Sequence, residues 1–193
     1  MEQWRFVKIF SVYGGPVYMH WSTSLMVLGS LLVVPFLPEI SVLIWCLLPI
    51  MILHEMGHAW VTHRLGLEVQ YIELYPLHGQ CVFEDPGYRK ELYQIAWGGI
   101  GAQLLLLWVT LPVFLGFRWL GLENFIGGLA ALLTVINLFI LLLNLFPAPG
   151  LDGALCWKLL PLLWNERQDH HPPSSTSTVR KKKKKRNHLR VIK

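Results

Sequence analysis

Charged residues are scarce in this chain. Asp, Glu, Lys and Arg make up 15% of its 193 residues, against 53% hydrophobic ones, which leaves too little polar sequence to solvate a soluble exterior around long apolar runs. Cysteine is also sparse. Cys46, Cys81 and Cys156 fall in separate segments with no CxxC pair, so the chain offers no disulfide framework and the three read as reduced packing residues. Met1 to Phe10 mix Glu2, Arg5 and Lys8 with aromatics and lack the basic, apolar and small-residue order of a cleavable signal, so no processing is expected. No internal repeat is visible, and no PDZ-like or nucleotide-sensing module is expected.

What the chain does have is apolar length. Four runs, about 19–37, 40–61, 92–117 and 125–146, each hold roughly 20 apolar residues, enough to cross a bilayer. The expected fold class is an all-α polytopic membrane protein of about four transmembrane helices with a small membrane-surface β element. Residues 1–18 read as an N-terminal strand or hairpin, because Trp4–Phe10 is rich in β-formers and Gly14-Gly15-Pro16 signals a turn. Further strands are expected at Val69–Tyr75 and Gln80–Phe83. Residues 19–165 form the transmembrane unit, with an interfacial helix at about 154–164 that is too short to span. Residues 166–193 read as a disordered basic tail, whose His-Pro, Ser/Thr and Lys-rich composition cannot bury a core.

The net charge of +5 conceals an asymmetry, since Arg180–Arg186 is an unbroken basic run and the rest is nearly balanced. The run lacks interleaved aromatics, so no nucleic acid partner is expected. It is either attracted to anionic lipid headgroups of the bilayer or simply solvated. Arg5, Lys8, Arg64, Arg89, Lys90, Lys158 and the tail fall on one side of a four-span layout, and the opposite loops hold only Arg118. The positive-inside rule makes this a multi-pass integral membrane protein, N-in and C-in.

Within the second apolar run stands His54-Glu55-Met56-Gly57-His58. HExxH on a helix puts two imidazoles on one face at i and i+4, the spacing for two ligands of one zinc ion, and leaves Glu55 as a general base for water. Ionisable groups at membrane depth are costly and survive mostly where they work. His58 lies about 9 Å of helix rise from Arg64, which puts the metal in the cytoplasmic half of the bilayer. A catalytic zinc site wants a third protein ligand. The acidic residue beside the later apolar segments in a suitable setting is Asp152, in Asn144-Leu145-Phe146-Pro147-Ala148-Pro149-Gly150-Leu151-Asp152-Gly153, where two prolines and glycines unwind the end of the fourth run.

HEMGH together with NLFPAPGLDG resembles the site-2 protease family, membrane metalloproteases that cut transmembrane segments of other proteins. The resemblance covers roughly residues 5 to 165. It implies zinc, one per chain, on His54, His58 and Asp152, with Glu55 as catalytic base and Asn144 as a substrate-binding residue. Asn137, two turns away, has a supporting role. Gly15-Pro16-Val17 with His20-Trp21-Ser22, and Trp97-Gly98-Gly99-Ile100-Gly101-Ala102-Gln103, also match, with Gln103 where an asparagine is usual and Ala154 in place of a frequent glycine. The implied function is intramembrane proteolysis of a transmembrane protein or peptide substrate, for signalling or for clearance of membrane remnants. The alternative is a catalytically silent member that binds membrane helices. His20, His63 and His78 read as interfacial or loop residues, and His170-His171 as part of the tail.

Overall fold

The computed structural model describes residues 5–122, 125–166 and 189–192. The chain opens on a hairpin of β1 (Phe6–Val12) and β2 (Gly15–His20). Tyr13 and Gly14 connect them with φ of 49° and 87°, the two-residue turn geometry whose twist suits a hairpin. β2 runs straight into α1 (Trp21–Val33), which His20 caps by accepting from the Ser22 backbone N–H. The chain returns through α2 (Pro38–Arg64), with Pro38 in the first turn, where a missing N–H costs nothing. Gly66, at φ 75°, ends α2 and leads into β3 (Val69–Leu74) and β4 (Gly79–Glu84).

β3 pairs in parallel with β2, so the strands expected as two surface pieces share one sheet of order β1-β2-β3-β4-β5. The fifth strand, β5 (Leu189–Ile192), is antiparallel to β4, with Cys81 opposite Ile192. This departs from the expected disordered tail in its last residues, because the outer edge of β4 offers free backbone partners to a β-prone Leu-Arg-Val-Ile segment. The basic run and His170-His171 lie outside the described residues.

Among the described residues, three helices are long and apolar enough to cross a membrane: α2, α3 (Arg89–Trp119) and α4 (Phe125–Leu145). The first expected span is shorter than read. α1 has 13 residues, a rise of about 20 Å against a hydrocarbon core of about 30 Å. Met19 and His20 are taken by β2, where Met19 pairs with Leu74 and His20 with Phe6. The sheet thus lies alongside the C-terminal half of α2, and Thr23 at the start of α1 donates to the Leu74 carbonyl at 3.0 Å. The expected interfacial helix is two pieces, α5 (Gly153–Cys156) and α6 (Leu159–Glu166).

α2 and α3 cross in backbone contact at Gly57 and Gly98, where a Cβ on either would strike the other's carbonyl. Near α1, polar groups of the bundle find partners inside it. Ser41 donates to the Ser30 carbonyl at 2.8 Å, and Trp45 Nε1 to Ser30 Oγ at 2.9 Å. That internal satisfaction is what a hydrocarbon surround demands.

Candidate metal centre

His54 and His58 point from one face of α2, as the i, i+4 spacing dictates. His58 is fully buried, and its Nδ1 lies 2.8 Å from the Ile95 carbonyl on α3. That contact requires the proton on Nδ1 and leaves the Nε2 lone pair for a ligand. The Gly99 backbone N–H, 3.3 Å from the same Nδ1, is therefore a near neighbour and not a donor to it.

Asp152 arrives from the other end of the chain. α4 stops at Leu145, two prolines follow, and Gly150 turns at φ 88°. Gly153 then packs on the Leu145 and Phe146 carbonyls so closely that no Cβ fits. This fold-back carries Asp152, 2% exposed, to the histidines. Its Oδ2 lies 3.0 Å from His54 Nε2 and 3.2 Å from His58 Nε2, and the two Nε2 atoms are 3.1 Å apart.

These distances test whether the residues suit zinc. Tetrahedral ligands at 2.0–2.1 Å from an ion stand about 3.3 Å from one another, close to the triangle observed. With the Nδ1 proton on His58, its Nε2 faces Asp152 and His54 as acceptors face one another, an arrangement that a cation satisfies. Asp152 Oδ1 and Glu55 Oε2 are also buried with no hydrogen-bond partner among the described residues. The donor set of two imidazoles and one carboxylate fits a catalytic zinc site.

Glu55 is 4% exposed and stands beside the triangle and outside it. Gly79, the first residue of β4, is pressed against it, 2.5 Å from an ideal Cβ to the Glu55 carboxylate. The start of β4 therefore walls the glutamate from the sheet side. Gly99 on α3 does the same for the ligands, since a Cβ there would come within 2.5 Å of both imidazoles. The glycine-rich start of α3 is legible in the sequence, whereas which of its glycines faces the histidines is set by how α3 packs on α2.

A cavity of about 510 Å³ opens beside the centre, lined by His54, Glu55, His78, Gly79, Gln103 and Asn144 among others. Asn144 Nδ2 donates to Gln103 Oε1 at 3.1 Å, and Asn137 Nδ2 to the Gln103 backbone carbonyl at 2.8 Å. His20 and His78 stack on opposite sides of Tyr75, at 5.2 and 4.7 Å, and His63 stacks on Tyr13. None of these three belongs to a metal-ligating group among the described residues. The three cysteines are buried and free. Burial pushes the Cys81 thiol well up, and burial with the Asp152 charge pushes Cys156 up to about 12, so both stay as thiols that pack.

No protein-family model matches the chain. It is 25% identical over 152 residues to a zinc metalloprotease of Methanocaldococcus jannaschii, covering 77% of this chain and 43% of that one. It is 31% identical over 126 residues to stage IV sporulation protein FB of Bacillus subtilis, covering 63% of this chain and 40% of the relative. The chain thus spans less than half the length of these curated relatives. Its fold matches a site-2 protease of Methanocaldococcus jannaschii at a TM-score of 0.58 and 22% identity, over 84% of this chain and 73% of the other.

Proposed function

We propose, from the premise that this chain belongs to the site-2 protease family, that it is an intramembrane zinc metalloendopeptidase cleaving peptide bonds in or near transmembrane segments. The observation that carries the reading is the convergence of His54, His58 and Asp152 beside an unpartnered, buried Glu55 oxygen on a helix apolar enough to span. One zinc ion per chain on those three residues would supply Lewis acidity to water and to the scissile carbonyl. Glu55 takes the proton of the attacking water and delivers it to the leaving amine. Asn144, on the cavity wall, holds the substrate strand.

A helical substrate keeps its carbonyls occupied, so it must unwind to be cut. Pairing as a strand at the outer edge of β4, in the place that Leu189–Ile192 takes in this structure, is the means of holding it extended. Four crossings are proposed, N-in and C-in, with the site toward the cytoplasmic half. Supporting this, β2 and β3 are neighbours in one sheet, so α1 and α2 go out and come back. α1 together with the inserted end of β2 serves as the first crossing.

The test is zinc content together with cleavage of a model transmembrane substrate. Glu55→Gln is expected to keep zinc and lose at least a hundredfold in turnover, since it removes a base and no ligand. Asp152→Ala is expected to lose zinc. Full cleavage by Glu55→Gln would overturn the mechanism, and an inactive wild type that still binds transmembrane helices would favour the silent alternative.

A further inference from the structure

Gln103 is fully buried on α3, one turn beyond the Gly99 that touches both imidazoles, and it lines the same cavity as Glu55 and Asn144. Its Oε1 is used by Asn144 and its backbone carbonyl by Asn137. Its Nε2 is buried with no partner among the described residues. An unpaired buried donor is destabilising, and native interiors rarely keep one without a use.

The cavity runs from the metal-site face of His54 and Glu55 to Gln103 and Asn144, so a peptide held in it passes Gln103. An extended peptide supplies acceptors as backbone carbonyls. Resting on the protease reading above, we propose that Gln103 is a substrate-binding residue: its carboxamide orients Asn144 through Oε1 and donates through Nε2 to a carbonyl of the peptide held in the cavity.

The test uses zinc-loaded full-length protein and a fluorescent transmembrane peptide. Binding is measured in a Glu55→Gln background with and without Gln103→Met, which keeps volume and removes the amide, and kcat and KM are measured without the Glu55 change. Gln103→Met is expected to weaken binding roughly tenfold and kcat/KM ten- to hundredfold. Zinc content should stay full and Tm should change little, because the unpaired Nε2 and the acceptor of Asn144 Nδ2 are lost together. Combined with Asn144→Ala, the loss should be less than the sum of the two. Unchanged peptide affinity, or a drop in Tm that accounts for the lost activity, would overturn the proposal. The binding arm does not depend on turnover, so a failed protease reading and a failed role for Gln103 give different results.

Discussion

The two halves of α3 lie on one continuous apolar helix and have opposite fates. From Leu92 to Gln103 the helix is largely buried, and Ile95, Ala96 and Ile100 are at most 1% exposed. From Leu104 onward the same helix is apolar and bare, with Leu105 63% and Trp108 75% exposed. The more hydrophobic half is the exposed one. Size and polarity separate the halves: the inner half holds Ala96, Gly98, Gly99, Ala102 and Gln103, which admit another backbone or offer a hydrogen bond, while the outer half holds Leu, Trp and Val. In a membrane, lipid serves large apolar side chains as well as protein does, so helices meet where residues are small or polar.

Substitutions along α3 sharpen that contrast. The largest effect is expected for Gly99→Ala, whose methyl would lie 2.5 Å from both ligand imidazoles. Zinc content should fall and cleavage should drop more than a hundredfold, read by metal analysis and peptide turnover. Retained zinc would show that α3 yields locally. Gly98→Val comes next, because it forces α2 and α3 apart at their backbone contact. Overpacking of this kind costs about 1–3 kcal/mol, visible as a lower Tm with activity lost in proportion. The smallest effect is expected for Leu105→Ala on the outer face, within about 0.5 kcal/mol of wild-type stability in a lipid-like environment. A large loss there would mean that the outer half is covered by protein.

The same contrast separates what could be read in advance from what could not. His54, Glu55 and His58 follow from the geometry of one helix, and the break before Asp152 follows from Pro147, Pro149 and Gly150. These depend on neighbours in sequence. Gln103 is visible in the sequence as a departure from the family asparagine, but that α4 sets Asn144 and Asn137 against its two oxygens is decided only by the fold.

The amino-acid sequence by itself determined the long apolar helices, a hairpin turn near Gly14, whose neighbours Gly15 and Pro16 belong to β2, and the one-face spacing of His54 and His58, because periodicity, turn chemistry and hydrophobic length act over a few residues. The tertiary structure alone decided that β2 and β3 pair in parallel, that β2 takes Met19 and His20 so that α1 starts only at Trp21, that Leu189–Ile192 adds a strand to β4, and that Gly99 and Gly79 close around the site. Each of those joins residues far apart in the chain, and which distant surfaces meet is set by packing that no local pattern encodes.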